Sequence, residues 1–236
     1  MPNLPFSLVT RCFRRSQFVR RWCSKVAFAA ALVIAALPSS GRAGCDHSKS
    51  LTVAAVEVDP FAKGMREFTV GGGYFWSPVI ATGGRPTLNY VQGDLALGWM
   101  LTSPSAPWGE TCLRGNWELL LNAFGTGITE GPGGYLAGGR LLVRYNFVQP
   151  SACFVPFFQL GGGGLFNDVH RHQDQHLIGG EFEFTLVADL GVRYFFTPRC
   201  ALVLAGDYEH ISNAGTASRN LGVNAAGATI GVSCFF

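Results

Sequence analysis

Two side chains near the end of the chain could do acid–base and nucleophilic chemistry together. His210 and Ser212 are separated by one residue in the stretch YEHISNAG, residues 208–215. On a β-strand, residues two apart are separated by about 6.8 Å at Cα and project from the same face. An imidazole and a hydroxyl can bridge that gap, so the histidine could take the proton of a serine nucleophile. Because His-x-Ser is a very short motif, the spacing alone also fits a strand end without a role.

The segment that carries this pair is one of eight that alternate polar and apolar residues. The clearest is EFEFTLVADLGVRYFF, from Glu181, which has eight apolar residues on one face and Glu, Thr, Asp and Arg on the other. Soluble sheets also alternate, but they seldom offer so long an apolar face on one strand. The eight predicted strands start near Arg66, Leu88, Asn116, Gly134, Phe154, Glu181, Cys200 and Val223.

An even number of amphipathic strands predicts the fold class. We expect an all-β protein, an eight-stranded antiparallel transmembrane β-barrel of the bacterial outer membrane, because open sheet edges are not tolerated in hydrocarbon. The final stretch, ATIGVSCFF, ends on an aromatic residue, as terminal strands of such barrels do. With both chain ends periplasmic, the connections between strands 2 and 3, 4 and 5, and 6 and 7 are predicted to be periplasmic turns. The first of these, residues 102–115, is longer than such turns usually are.

The alternation in strand 7 predicts the direction of the pair. In CALVLAGDYEHIS, residues 200–212, His210 and Ser212 share one face, whereas Asp207 and Glu209 lie on the other. Charged side chains belong on the polar inner face of a small barrel, because the outer face meets lipid. His210 and Ser212 are therefore predicted to face outward, near the extracellular end of the strand.

The N-terminal region predicts export. Residues 1–25 carry six Lys and Arg residues and no acid, residues 26–37 are apolar, and Gly41-Arg42-Ala43 offers a cleavage site between small residues. This is the pattern of a secretory signal peptide, and the apolar run is too short for a spanning helix, which needs roughly 20 residues. The predicted organisation is a signal peptide at residues 1–43, an irregular periplasmic arm at 44–65 and a barrel at 66–236.

Removal of the signal peptide changes the charge class of the protein. It takes away seven of the 18 basic residues and none of the 15 acidic ones, which leaves a net charge of −4. The basic character of the whole chain therefore belongs to the export signal. Nucleic acid is excluded as a partner on this ground.

Cysteine and histidine residues raise two further possibilities. Five cysteines remain after cleavage, all near the predicted periplasmic end: Cys45, Cys112, Cys153, Cys200 and Cys234. The periplasm permits disulfides, and a Cys112–Cys153 or a Cys153–Cys200 bridge fits neighbouring turns. The tract His170-Arg171-His172-Gln173-Asp174-Gln175-His176 falls in the extracellular loop between strands 5 and 6. It has neither Cys nor helical spacing, so we predict a solvated loop and no metal site.

The residues around the pair resemble those of a known family. His210-Ile211-Ser212-Asn213-Ala214-Gly215, then Asn220-Leu221-Gly222 and a last strand ending at Phe236, is similar to the C-terminal signature of the outer-membrane lipid A 3-O-deacylases of the PagL type. The rest of the chain resembles that family mainly in architecture. The resemblance implies a lipid-facing site with Ser212 as nucleophile and His210 as general base. It also implies an oxyanion hole shaped by Asn213, with a backbone N–H near Gly215.

One position departs from the family pattern. The family has a glutamate that orients the histidine, and Asn224 stands at the matching position. An asparagine can accept the imidazole N–H, but it cannot stabilise an imidazolium by charge. We therefore include Asn224 in the predicted catalytic set, and expect either that the substitution weakens activity or that another residue supplies the acidic group.

The predicted function is that of an outer-membrane esterase that removes the 3-O-linked hydroxyacyl chain from lipid A. Its partners would be lipid A or lipopolysaccharide in the outer leaflet and the outer membrane itself, and it would need no cofactor and no metal. The alternative is a small structural or adhesive barrel without catalysis. Whether the protein forms a homodimer is left open by the sequence.

Overall fold

The chain forms a closed barrel of eight antiparallel strands. The structure, a computed structural model, describes residues 59–77, 86–106, 113–150 and 152–236. The predicted signal peptide, residues 1–43, lies outside these ranges, as does most of the predicted arm. The strands are β1 Arg66–Trp76, β2 Asn89–Met100, β3 Asn116–Glu130, β4 Tyr135–Asn146, β5 Phe154–Asn167, β6 Phe182–Phe195, β7 Cys200–Ser212 and β8 Val223–Phe235.

The strand order confirms the predicted fold class. Each strand pairs with its neighbours in sequence, and β1 pairs with β8 to close the sheet. Every predicted strand start lies within one residue of the observed start. In the described part of the chain no helix has the length and apolarity required to cross a membrane. One short 3-10 helix, Val169–Arg171, lies between β5 and β6.

The outer wall is apolar because alternate residues of every strand face away from the barrel axis. In β6, Phe184, Leu186 and Leu190 are exposed, whereas Glu183 and Thr185 between them are buried. The alternation predicted for this strand is confirmed. Exposed side chains of this size on every strand suit contact with lipid rather than with water.

Aromatic residues form a girdle near each end of the wall. At the end of the barrel opposite the C-terminus, Phe182 packs against Phe166 and Phe184, with ring centroids 5.4 and 5.3 Å apart. At the other end, Phe154 packs against Tyr194 at 4.9 Å. Aromatic girdles of outer-membrane barrels lie at the two membrane interfaces.

The interior contains a network of buried ion pairs. The guanidinium of Arg193 is fully buried and pairs with Glu67 and, at 3.1 Å, with Glu118. Arg144 reaches the same two carboxylates at 3.3 and 3.5 Å. Asn146 accepts a hydrogen bond of 2.5 Å from Arg193. These contacts link β1, β3, β4 and β6 across the barrel axis.

An apolar cluster covers the network at the end where the chain terminates. Phe61 precedes β1 and is buried against Phe195 and Phe235, with ring centroids 5.6 and 5.7 Å away. Its carbonyl accepts a hydrogen bond from Asn116 of β3. This last part of the predicted arm is therefore packed against the end of the barrel.

The disulfide pattern differs from one alternative raised by the sequence. Cys200 and Cys234 lie directly opposite each other on β7 and β8, and they are bonded, with a Cα–Cα distance of 4.3 Å. Cys153 is disulfide-bonded as well. A Cys153–Cys200 bridge is therefore wrong, because Cys200 already has a cross-strand partner. Cys112 and Cys45 lie outside the described residues.

Candidate active site

The side chain of Glu209 fixes which residues of β7 face the interior and which face outward. This carboxylate is buried inside the barrel, where it pairs with Arg140 and accepts hydrogen bonds of 2.7 Å from Tyr90 and Thr185. A slip of β7 by one residue would move Glu209 from these three partners into lipid. Because successive side chains alternate between faces, His210 must then project from the outer wall.

His210, Ser212 and Asn224 come together on that outer wall. Nε2 of His210 lies 3.1 Å from Oγ of Ser212, and Nδ1 lies 2.8 Å from Oδ1 of Asn224. Asn224 is on β8, directly opposite His210 in the strand register. When Asn224 accepts the Nδ1–H, the lone pair of Nε2 is free to accept the hydroxyl proton of Ser212. This is the tautomer that a general base requires.

Tyr208 extends this arrangement by one residue. Its hydroxyl donates a hydrogen bond of 2.8 Å to Oδ1 of Asn224, the same oxygen that accepts from His210. Tyr208 faces outward on β7, as His210 and Ser212 do. We call these four residues, Tyr208, His210, Ser212 and Asn224, the outer-wall relay.

Large apolar side chains of β6 lie beside the relay. Ser212 is opposite Phe184 in the register of β6 and β7, and His210 is opposite Leu186. Both neighbours are strongly exposed, Phe184 at 44% and Leu186 at 60%. Since Phe184 belongs to an aromatic girdle, Ser212 lies at the level of that girdle rather than at the middle of the wall. The hydroxyl is thus presented at an apolar surface near one membrane interface.

The loop after Ser212 uses the donors that the sequence assigned to an oxyanion hole. The side chain of Asn213 is fully buried, its Nδ2 donates to the Arg219 carbonyl at 3.0 Å, and its Oδ1 accepts the Gly215 N–H at 2.9 Å. Both predicted groups are therefore hydrogen-bonded within the loop, and this geometry gives their oxyanion role no support. The turn also places Ala214 at a φ of 52°.

Gly222 closes the other side of the relay. Its φ is +70°, a backbone conformation that residues other than glycine rarely adopt. A Cβ at this position would lie 2.9 Å from the Ile211 carbonyl oxygen and 3.4 Å from Cε1 of His210. Glycine is required because it supplies the positive φ and leaves room for the imidazole. The sequence signature contained this glycine, but only the structure shows the contact with His210.

The neighbouring loop is tied to the loop that follows the relay. The guanidinium of Arg219 donates to the carbonyls of His170, His172 and Gln175, at 2.8 to 3.3 Å. The imidazole of His170 bonds the Asn167 carbonyl. Across the described ranges, no group of three or more His, Cys, Asp and Glu residues is arranged to hold a metal ion.

The sequence of this chain matches one protein family over most of the barrel. Residues 91–233 match the PagL family, described as lipid A 3-O-deacylase, and this range is more than half of the chain. The chain belongs to the PagL family. The matched range contains the whole outer-wall relay and ends in β8. A search of curated protein sequences found no significant match.

Solved structures of outer-membrane barrels resemble this member of the PagL family. Neisserial surface protein A is 14% identical, with a TM-score of 0.50, and the alignment covers 74% of this chain and 98% of that one. The outer membrane enzyme PagL is 16% identical, with a TM-score of 0.44, over 70% of this chain and 97% of that one. OprG from Pseudomonas aeruginosa is 14% identical, with a TM-score of 0.41, over 75% and 98%. At these identities the likeness to the first of these structures supports the barrel fold alone.

Sequence reasoning missed the second hydrogen-bond partner of Asn224, Tyr208. The same alternation that places His210 outward applies to Tyr208, but a hydroxyl two residues before the histidine gives no signal of contact with β8. The register supplies that contact, because His210 opposes Asn224 and Tyr208 opposes Ala226. A small residue at position 226 leaves the face of β8 open beside the tyrosine.

Proposed function

We propose that this protein is an esterase that removes the 3-O-linked hydroxyacyl chain of lipid A with Ser212 as its nucleophile. The observation that carries the proposal is the contact of 3.1 Å between Nε2 of His210 and Oγ of Ser212 on the outer wall. A polar pair on a lipid-facing surface costs free energy, about a kcal/mol or more for each uncompensated group. Membership of the PagL family supplies a reason for its presence there.

The first half-reaction transfers the acyl chain to the protein. Nε2 of His210 takes the hydroxyl proton as Oγ of Ser212 bonds the ester carbonyl carbon. The C–O bond to the glucosamine 3-oxygen then breaks, and the imidazolium returns the proton to that oxygen. The products are the 3-hydroxyl group of the sugar and an acyl ester on Ser212.

The second half-reaction restores the enzyme with water. His210 takes a proton from a water molecule, whose oxygen bonds the acyl carbonyl carbon. The bond to Oγ breaks, Ser212 regains its proton from the imidazolium, and a 3-hydroxy fatty acid leaves. Water is available because the relay lies at the girdle, close to the membrane interface. This route uses no cofactor.

The substrate reaches Ser212 from the surrounding membrane in this proposal. Lipid A forms the outer leaflet, and an outward nucleophile near the extracellular end meets the ester without drawing the lipid into a pocket. Phe184 and Leu186, exposed beside the relay, offer apolar contact to the acyl chains. This arrangement favours the bacterial outer membrane as the location of the protein, with the relay at its outer surface.

The oxyanion donors stay a prediction. The sequence points to Asn213 and to a backbone N–H near Gly215, whose donors both have partners within the loop. Their use in the reaction would require this loop to exchange those hydrogen bonds when substrate binds.

Asn224→Glu is expected to raise the rate of deacylation by roughly tenfold or more. A carboxylate would keep the acceptor for Nδ1 and add a charge that stabilises the imidazolium, which an amide cannot do. Initial rates on purified lipid A in detergent would measure the gain. Gln173→Glu, the same change from amide to carboxylate at an exposed position in the loop between β5 and β6, is the matched control. An unchanged rate would indicate that another residue supplies the acidic group that orients His210.

Mass spectrometry of lipid A tests the function directly. Cells whose outer membrane contains the protein should yield lipid A lighter by one 3-hydroxyacyl chain, and the released fatty acid should be recovered. The cleaved position follows from fragmentation of the product. Unchanged lipid A in the presence of the folded barrel would favour the alternative, a structural barrel without catalysis.

A further inference from the structure

The amide of Asn224 is held by two donors on one oxygen. Oδ1 accepts from the hydroxyl of Tyr208 and from Nδ1 of His210, each at 2.8 Å. These are its side chain's hydrogen bonds among the residues that the structure describes. All three side chains project from the outer wall, and two adjacent strands supply them.

An amide at this position can fail in a way that a carboxylate cannot. Rotation by a half-turn about the last side-chain bond exchanges Oδ1 for Nδ2 with little change in shape. Nδ2 would donate to Nδ1 of His210, which would then carry no proton, and the proton would move to Nε2. An Nε2–H donates to Ser212 and cannot accept its proton, so that state has no general base.

The hydroxyl of Tyr208 distinguishes these two states. A phenol is a good hydrogen-bond donor and a poor acceptor, because its oxygen lone pair is delocalised into the ring. Toward Oδ1 it donates, as observed. If Nδ2 took the place of Oδ1, the hydroxyl would have to accept a hydrogen bond from it, and that bond would be weaker than the one to Oδ1. The contact therefore favours the amide orientation that leaves Nε2 of His210 free.

We propose that Tyr208 is a positioning residue which, through its hydrogen bond to Asn224, holds His210 in the tautomer protonated at Nδ1. The inference rests on the proposed function for its effect on rate, but its effect on the imidazole is independent of any activity. It assigns a specific task to Tyr208, whose hydroxyl bonds Asn224 and not Ser212. The task exists because position 224 carries an amide instead of a carboxylate.

Nitrogen NMR of the imidazole tests the inference without a substrate. In the folded protein, labelled with ¹⁵N at histidine and held in detergent micelles, His210 should show a protonated Nδ1 and an unprotonated Nε2. Loss of signals in His210→Gln assigns the resonances. Tyr208→Phe, which keeps the ring and removes only the hydroxyl, should shift a measurable fraction to Nε2–H. An unchanged tautomer ratio in Tyr208→Phe would overturn the proposal.

A double-variant comparison separates positioning from packing. Tyr208→Phe should lower kcat about tenfold, the effect of one hydrogen bond, and should leave KM within about twofold. In the Asn224→Glu background the same change should cost less than about twofold, because both carboxylate oxygens accept. Equal losses in the two backgrounds would overturn the role assigned to Tyr208. A tautomer shift without deacylation by any variant would retain that role and refute the proposed function.

Discussion

Ser212→Ala should abolish deacylation, with a loss of at least about 10³-fold in kcat, and should leave the barrel folded. Replacement of a serine nucleophile in a base-activated pair removes nearly all chemistry except binding and oxyanion stabilisation. The effect on stability should be small, because Ser212 is only half-buried and the hydroxyl bonds a single side chain, His210. Lipid A mass after incubation with each variant measures the loss.

Ser218→Ala is the matched control for this prediction. It makes the same chemical change in the loop that follows β7, at an exposed position. Its rate should equal that of the unaltered protein, and both variants should show the same heat-dependent shift in gel mobility that reports a folded barrel. Deacylation by Ser212→Ala at the control rate would mean that another residue is the nucleophile.

Arg193→Met should destabilise the barrel by roughly 3–5 kcal/mol, the typical cost of removing one partner of a buried ion pair. Arg193 is fully buried, and its loss would leave Arg144, at 3.3 and 3.5 Å, as the one cationic partner of Glu67 and Glu118 among the described residues. The methionine fills similar space, so the cost comes from uncompensated charge rather than from a cavity. Urea unfolding in lipid vesicles, followed by tryptophan fluorescence, measures it.

Arg199→Met makes the same substitution at an exposed turn between β6 and β7. A surface substitution of this kind usually changes the free energy of unfolding by no more than about 0.5 kcal/mol. Equal unfolding midpoints for the two variants would contradict the prediction, because they would show that the ion pairs of Arg193 make no net contribution to stability.

The barrel was predictable because its signal is local. A side-chain period of two separates a lipid-facing set from an interior set on each strand, and Glu183 and Arg193 on β6 are as buried as the pattern predicts. The direction of His210 followed from Glu209 beside it for the same reason. Strand order followed from short connections, since consecutive antiparallel strands pair with one another.

The contacts between strands and loops were not predictable, because they depend on register and on backbone conformation. Alternation places Tyr208 outside without indicating that its hydroxyl reaches Asn224. The signature at Asn213 suggested a donor for the reaction, whereas burial turns that side chain toward Arg219 and Gly215. A charge pattern likewise identifies Glu209 as an interior residue and leaves its partners, Arg140 among them, undetermined.

The disulfide at the start of β7 and the pairing of His210 near the end of β7 depend on the same strand register. Cys200 opposes Cys234 in the same ladder in which His210 opposes Asn224, ten residues further along each strand and roughly 33 Å away. A ladder shifted by two residues would separate both pairs at once. Formation of the Cys200–Cys234 disulfide therefore reports correct pairing of β7 with β8. Because Cys153 is disulfide-bonded too, peptide mapping without reductant, rather than gel mobility, would identify the molecules in which Asn224 and His210 can meet.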